Sequence, residues 1–338
     1  MNQEVRRWIK LLAGILATSL FAWLFLRHVD WGASAAAYAA ARPFYLIVAM
    51  TLLVTGYALR ILRWWIMLRA MAPGLSFRSC AGPFLSGMAL NNILPFRAGD
   101  VIRTVGFRQQ LQLPPAQVLS TLIMERLFDL TALLIVFFIS LWGIAANELP
   151  KGFLQAVYLL TTGCVVLLLV CIFMPAQIER WIRSLASAAS RRGASVVGHA
   201  GMGAAQVFSS LTLMRSPLLV LQLFGLSLGV WLFEGAMFAA VAQAIAISDA
   251  GLGTWFALAT GTLATLIPST PGYVGTFDYF TMLGLTMYDV PDQIAAVFAM
   301  AVHVMLWVPV TLVGLLWFFF LKLGTMRIKR TQPMDIST

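Results

Sequence analysis

Two short apolar segments in this sequence are each interrupted by the pattern Pro-x-x-x-Gly, at corresponding positions in the two halves of the chain. Pro95 and Gly99 interrupt the first segment, and Pro271 and Gly275 interrupt the second. Paired, interrupted hydrophobic segments in two halves of a membrane protein are typical of the substrate site of a transporter. This pair of breaks constrains the fold more than any other feature of the sequence.

The composition is that of a polytopic membrane protein. Of 338 residues, 60% are hydrophobic and only 11% are charged, which leaves too few polar groups to cover a soluble domain. The long apolar runs lack the alternation of strands, so the spanning elements are predicted to be helices. The net charge of +10 comes mainly from basic residues in loops between apolar runs, where they set orientation, so no nucleic-acid partner is expected.

Cysteine and histidine give no indication of a cofactor. Cys80, Cys164 and Cys171 are too few and too scattered for a disulfide framework, and no Cys/His cluster has the spacing of metal ligands. We therefore expect no metal site, no cofactor and no catalytic residue.

Six apolar segments are long enough to cross about 30 Å of hydrocarbon at about 1.5 Å per residue. These predicted spans are 9–26, 43–68, 118–146, 153–174, 217–247 and 294–320. The segments 82–94 and 254–267 are too short to cross, and each meets a Pro/Gly break and turns into a second short helix. We predict two re-entrant hairpins, 82–110 and 254–288, whose turns meet inside the protein because irregular backbone must avoid lipid.

The distribution of Lys and Arg predicts the orientation. Seventeen of these residues lie in the segments 1–10, 69–117, 175–216 and 321–338. Only three lie in the segments 27–42, 147–152 and 248–293. Because positive charge accumulates on the cytoplasmic side, both termini are predicted to be cytoplasmic in a multi-pass protein of the cell inner membrane.

The predicted fold is an all-α membrane domain over 1–338, an inverted repeat of three transmembrane helices plus one re-entrant hairpin per half. The first repeat covers 9–146 and the second 153–320, and 321–338 forms a cytoplasmic tail. An odd number of crossings in each half inverts the second half relative to the first. The alternative is that the two Pro/Gly breaks are unrelated.

The connection 175–216 is long and basic. Trp181, Ile182 and Leu185 alternate with arginines, a pattern typical of a helix on the inner leaflet. An ordinary solvated cytoplasmic loop is the alternative.

Ionisable groups inside the apolar segments are costly, so they indicate ion pairs or function. The candidates for proton coupling or ion pairing are Asp100, Glu125, Asp129, Glu234, Asp278 and His303. His303 taken alone is more typical of a hydrogen-bonded interior residue. Arg60 and Arg63 are expected to extend towards the inner interface.

A headgroup site is predicted at the breaks. Its candidate residues are Asn92, Pro95, Arg97, Gly99, Arg103, Arg126, Pro271 and Gly275. Arg97 and Arg103 are expected to converge on one phosphate, because a guanidinium offers paired donors that match phosphate oxygens. The helix that starts near Gly99 would add backbone N–H groups. The alternative is that these residues form only structural ion pairs.

In these motifs the chain resembles the flippase-like, lysylphosphatidylglycerol synthase transmembrane-region family. The resemblance covers about residues 10–320 and rests on three motifs: Asn92-x-x-Pro95-x-Arg97-x-Gly99-Asp100-x-x-Arg103, Glu125-Arg126-x-x-Asp129 and Pro268-x-x-Pro271-Gly272-x-x-Gly275-x-x-Asp278. It implies a protein that moves, or helps to move, lipids such as aminoacylated phospholipids, hopanoids or polyprenyl-linked sugars.

Two features depart from that family. The family usually carries Glu where this chain has Asp100 and Asp278, a change that alters reach. The sequence stops at Thr338 without the soluble aminoacyl-transfer domain of bifunctional members, so synthesis of lysyl-lipid is not expected.

The sequence as a whole favours a translocator of a lipid with an anionic or phosphate-bearing headgroup, coupled to protons through the interior carboxylates. The partners expected are therefore membrane lipids. Two other classes remain open: a membrane-embedded lipid-modifying enzyme, in which Asp100 or Glu125 acts as a base, and a non-catalytic subunit of an envelope lipid biosynthesis complex.

The charge asymmetry predicts the outcome of labelling single cysteines in intact cells. Cysteines introduced at 146–151 should react with a membrane-impermeant thiol reagent from the periplasm. Cysteines at 187–193 should react only after the inner membrane is opened. The reverse pattern would contradict the inverted-repeat assignment.

Overall fold

The computed structural model describes residues 16–143, 151–247, 250–267 and 271–331, and all regular secondary structure in these ranges is helical. The helices are α1 (Leu16–Leu26), α2 (Trp31–Ala39), α3 (Pro43–Arg69), α4 (Phe77–Ile93), α5 (Ala98–Val105), α6 (Arg108–Leu111), α7 (Pro115–Ser140), α8 (Lys151–Phe173), α9 (Pro175–Arg191), α10 (Ser195–Leu211), α11 (Pro217–Ala244), α12 (Gly253–Ala264), α13 (Thr276–Thr286) and α14 (Asp292–Thr331). The all-helical prediction is confirmed.

Some sequence predictions concern residues outside these ranges. The parts of the chain concerned are the beginning of the first predicted span, most of the loop 147–152, Pro268 and the end of the C-terminal tail.

Four helices are long and apolar enough to span a membrane: α3, α8 from Leu154, α11, and α14 as far as Phe320. The chain is therefore an integral membrane protein. Two of the six predicted spans, those that correspond to α1 and α7, are not among these four. Helix α7 has 26 residues but carries three charged side chains in its middle, and α1 is described over Leu16–Leu26 only.

Helices α3 and α11 pack along each other. Each begins with a proline, Pro43 or Pro217, which suits the first helical position because no backbone N–H is needed there. The N–H of Arg42, just before α3, donates to the carbonyl of Ala244 at the end of α11, at 2.9 Å. The two helices are therefore antiparallel.

The two Pro/Gly breaks form short 3₁₀ turns, and we call Pro95–Arg97 the first turn and Pro271–Tyr273 the second turn. The first turn joins α4 to α5, and the second joins α12 to α13. Helix α4 packs against α14, and α12 packs against α13. The sequence predicts one helix from the first turn to residue 110. The structure has two helices there, α5 and α6, because the chain leaves helical geometry at Phe107.

The connection 175–216 consists mainly of helices α9 and α10, which pack against each other, so of the two alternatives the chain is helical here rather than an ordinary loop. Their close contact depends on small residues, with Gly201 lying against Ala186. On the outer side of α9, Trp181 and Leu185 are exposed. This is the amphipathic pattern that the sequence indicated.

Gly99 allows α5 to lie directly on the backbone of α4. A Cβ atom at this position would come within 2.0 Å of the carbonyl oxygen of Gly87 and 2.6 Å of the backbone nitrogen of Asn91. Neither atom belongs to a flexible side chain, so a larger residue would push the two arms of the hairpin apart.

The Gly99→Ala substitution is expected to destabilise the protein by about 2–3 kcal/mol, because overpacking against backbone cannot be relieved by a rotamer change. Thermal unfolding in detergent, followed by tryptophan fluorescence, measures this. Gly163→Ala is the matched control, since a Cβ there meets nothing within 4 Å and alanine is the better helix former. Equal melting temperatures for the two variants would contradict the close packing.

Candidate functional site

The five carboxylates that the sequence places in the apolar interior each contact a basic side chain from another helix. The pairs are Arg60 with Glu234, Arg63 with Asp129, Arg103 with Glu125, Arg126 with Asp100, and His303 with Asp278. Of the two alternatives that the sequence left open for these carboxylates, the structure shows the ion pairs. Pairing is needed because an isolated charge in a medium of low dielectric constant is very costly.

Two of these pairs hold α3 against its neighbours. Arg63 donates from Nη1 and Nη2 to both oxygens of Asp129 on α7, at 2.5 and 2.9 Å, and also donates to the hydroxyl of Ser227 on α11 at 2.5 Å. Arg60 pairs with Glu234 on α11. Both arginines are buried, so the expectation that they extend to the membrane interface is wrong. The reason is that carboxylates of α7 and α11 lie directly opposite them.

Arg103 is enclosed in the protein. Its guanidinium donates to Glu125 at 2.9 Å and lies between the rings of Trp64 and Phe84, at 4.7 and 4.9 Å from their centroids. No part of Arg103 is exposed. The expected convergence of Arg103 with Arg97 on one anion is therefore not met, and Arg103 instead fastens α5 to α7.

Asp100, in the first turn of α5, is held from two sides. It accepts hydrogen bonds from Arg126 at 3.0 Å and from the amide of Asn91 at 2.9 Å. The side-chain oxygen of Asn91 in turn accepts from the backbone N–H of Asp100. Arg126 keeps a partly exposed side chain, with 36% of its area accessible, and lies 3.9 Å from Glu125.

Asp278 holds the corresponding position in the other half. One oxygen accepts from the backbone N–H of Gly275 at 2.8 Å, and the other contacts Nδ1 of His303 at 2.6 Å. His303 is a hydrogen-bonded interior residue, as its position in the sequence suggested.

A cavity of about 350 Å³, the central cavity, lies where the two turns meet. Its polar lining consists of Arg60, Asn92, Arg97, Arg126, Asp129, Glu234, Thr262, Thr265, Tyr273 and His303. Tyr57, Trp231, Phe277 and Trp307 contribute aromatic walls. Asn92 is oriented by a 2.9 Å hydrogen bond to Thr311. The cavity thus brings together six of the predicted polar residues: Asn92, Arg97, Arg126, Asp129, Glu234 and His303. The other four do not line it: Asp100, Arg103, Glu125 and Asp278.

Arg97 differs from the other arginines of the cavity because it has no carboxylate within 4.0 Å among the described residues. Its Nε donates to the hydroxyl of Tyr273 at 2.8 Å, and Nη2 donates to Thr265 at 3.3 Å. Its backbone has φ of 52°, in the left-handed region that non-glycine residues seldom adopt. Such strain is characteristic of functional positions.

The prolines and glycines of the breaks shape the backbone. Pro95 and Pro271 begin the two turns, and Gly99 permits the contact between α4 and α5. Gly275 has φ of 82°, and a Cβ there would lie 2.5 Å from the backbone nitrogen of Ala22. None of these four residues lines the central cavity.

Sequence reasoning missed Arg60, Thr265, Trp231 and Tyr273 as cavity residues. For Tyr273 a signal was present, because it follows Pro271 at the distance at which Arg97 follows Pro95.

A family model described as the lysylphosphatidylglycerol synthase TM region matches residues 11–314. The chain belongs to this family. Glycosyltransferase AglD of Haloferax volcanii is 28% identical over 152 residues, which are 44% of this chain and 24% of that relative. The matched region therefore spans about a quarter of the relative. No solved structure matches the chain.

Because Asp129 is the counter-charge of the buried Arg63, even a small substitution of Asp129 should lower the free energy of unfolding substantially. Asp129→Asn should destabilise the protein by about 3–5 kcal/mol, because it leaves a buried guanidinium without its counter-charge. Denaturation in mixed detergent gives the free energy of unfolding. The control Glu179→Gln removes the i,i+4 partner of the exposed Arg183 and should cost less than about 1 kcal/mol. Similar losses in the two variants would contradict this interpretation.

Proposed function

We propose that this protein translocates lipids with an anionic, phosphate-bearing headgroup across the bacterial inner membrane, with both of its termini in the cytoplasm. The observation that carries the proposal is the guanidinium of Arg97, which lies in the wall of the central cavity and has no carboxylate within 4.0 Å among the described residues. The lysylphosphatidylglycerol synthase transmembrane-region family supports a role connected with membrane lipids.

The charges of the cavity favour an anion. Glu234 is matched by Arg60 and Asp129 by Arg63, so the lining carboxylates are already neutralised. Arg97 is held only by neutral hydroxyl groups, and a phosphate could replace them with stronger, charge-assisted hydrogen bonds. Arg126 lies in the same wall and is partly exposed, so a second guanidinium is within the cavity.

The lining also suits an amphiphile. Apolar side chains complete the wall, and Leu266 among them is 52% exposed. A headgroup in the polar part of the cavity could therefore leave its acyl or polyprenyl chains among apolar surfaces.

We further propose that the two halves are inverted repeats with re-entrant hairpins. Several paired features support this: the prolines that begin α3 and α11, the 3₁₀ turns at Pro95–Arg97 and Pro271–Tyr273, and the left-handed backbone at both Arg97 and Tyr273. Arg97 and Tyr273 occupy equivalent positions and bond to each other. In such folds the discontinuous helices of the two repeats enclose the substrate site.

A membrane-embedded lipid-modifying enzyme is the second candidate. The relative named glycosyltransferase AglD favours it, although the match covers a quarter of that protein. A search for new lipid products after incubation separates this candidate from translocation.

The proposal is tested with purified protein in liposomes that contain fluorescent phosphatidylglycerol, whose accessible fraction is bleached by dithionite. Arg97→Ala should slow translocation by about tenfold or more, since a charge-assisted hydrogen bond contributes about 1.5–3 kcal/mol. Arg97→Lys should also be slow, because an ammonium lacks the paired donors of a guanidinium.

Arg215→Ala is the matched control, because Arg215 is exposed and lies outside the cavity. It should translocate at the wild-type rate. Wild-type rates in Arg97→Ala at equal reconstitution would contradict the proposal. A modified lipid, detected by mass spectrometry in place of translocation, would favour the enzyme.

A further inference from the structure

Each hairpin carries one carboxylate that pairs with a basic side chain of the next long helix. In the first half Asp100 on α5 pairs with Arg126 on α7, 26 residues later. In the second half Asp278 on α13 pairs with His303 on α14, 25 residues later. The two pairs are thus counterparts with one chemical difference: the guanidinium is always charged, whereas an imidazole gains and loses a proton near neutral pH.

The surroundings of Asp278 fix the tautomer of the neutral imidazole. Asp278 lies in the first turn of α13, where the helix dipole favours a negative charge, and it accepts the backbone N–H of Gly275. Its other oxygen lies 2.6 Å from Nδ1 of His303. A carboxylate can only accept, so Nδ1 carries the proton and donates it.

The second ring nitrogen is therefore the one that binds a further proton. Nε2 of His303 has no hydrogen-bond partner among the described residues, and the ring lines the central cavity with 15% of its side chain exposed. Phe277 contacts the ring edge-on, with centroids 5.2 Å apart, and restricts its rotation. The imidazole is thus held with one nitrogen on Asp278 and the other available to the cavity.

The other interior charges are less suited to binding a proton. Asp100, Glu125, Asp129 and Glu234 are each paired with an arginine, a permanent cation that does not exchange its proton, whereas Asp278 is paired with an imidazole. The groups that surround His303 on the packed helices, the turns and the cavity wall are Asp278, Tyr38, Tyr57, Arg60, Arg97, Arg126, Asp129, Glu234 and Tyr273. Burial, together with the charge of Asp278, raises the pKa of Tyr38 to about 12, so Tyr38 stays neutral.

We propose that His303 is a proton-binding site of the central cavity, and that a proton on Nε2 and an anionic lipid headgroup bind there together. This inference rests on the proposed function. With His303 neutral, Arg97 is the cation of the described cavity wall that lacks a carboxylate within 4.0 Å. When His303 takes up a proton from the aqueous phase, its half of the cavity gains a cation that corresponds to Arg126. Because coupling is reciprocal, the proton strengthens headgroup binding and the headgroup strengthens proton binding to the same extent.

The test uses dihexanoyl phosphatidylglycerol, a soluble lipid whose phosphodiester keeps its single negative charge throughout, added to the full-length protein in detergent. Isothermal titration calorimetry at pH 6, pH 7 and pH 8.5, in two buffers of different ionisation enthalpy at each pH, gives both the affinity and the number of protons taken up. Wild type should bind about tenfold more tightly at pH 6, which corresponds to about 1.4 kcal/mol, and should take up a net fraction of a proton at intermediate pH.

Two variants of His303 should bind the lipid with an affinity that does not depend on pH, one weakly and the other tightly. His303→Gln should bind weakly at both pH values, and His303→Arg, which copies the cation of Arg126, should bind tightly at both. Neither should take up protons. His28→Gln is the matched control, because His28 pairs with Asp292 outside the cavity, and it should behave as wild type. If His303→Arg does not fold, the comparison between wild type and His303→Gln still tests the proposal.

Binding by wild type that does not depend on pH, whether tight or weak, would overturn the role of His303 and would leave the proposed lipid translocator uncontradicted. Proton uptake that persists in His303→Gln would also overturn it. Absence of binding by wild type at both pH values would contradict the anionic substrate itself, and with it this inference.

Discussion

The structure depends on one electrostatic constraint: an arginine inside an apolar helical bundle must contact an opposite charge. Arg63 meets it through both oxygens of Asp129, and Arg60 does so through Glu234. These contacts join α3, α7 and α11, because each pair connects two different helices. In a membrane, where lipid gives helices no hydrophobic reason to associate, such polar contacts contribute directly to the arrangement of the bundle.

The same constraint makes Arg97 conspicuous. It lies in the first turn, adopts a left-handed backbone and contacts hydroxyl groups of Tyr273 and Thr265 in the region of the second turn. Because these partners are neutral, Arg97 has no ion-pair partner among the described residues, and this is why we propose that it binds the headgroup. The proposed headgroup site thus follows from a comparison among the described arginines of the cavity wall: Arg60 and Arg126 each contact a carboxylate, whereas Arg97 contacts only hydroxyl groups.

The two halves also differ in a way that bears on energy coupling. Arg126 carries a permanent charge beside Asp100, whereas the charge of His303 beside Asp278 depends on a proton. If the halves are inverted repeats, their cations approach the cavity from opposite sides of the membrane. An anionic headgroup would then meet a fixed cation in one half and a proton-dependent one in the other, which gives a physical route from a proton gradient to a lipid gradient.

The sequence by itself determined the helical class, most helix bounds and the two turns, because hydrophobic length and the backbone limits of Pro and Gly act locally. It also identified the interior carboxylates and the family. It did not determine their partners. Arg103, expected at the headgroup, is enclosed by Trp64 and Phe84, and Arg60 and Arg63, expected at the interface, are buried. Arg63 and Asp129 lie 66 residues apart and Arg60 and Glu234 lie 174 apart, so only the packing and rotation of whole helices decided which charges meet.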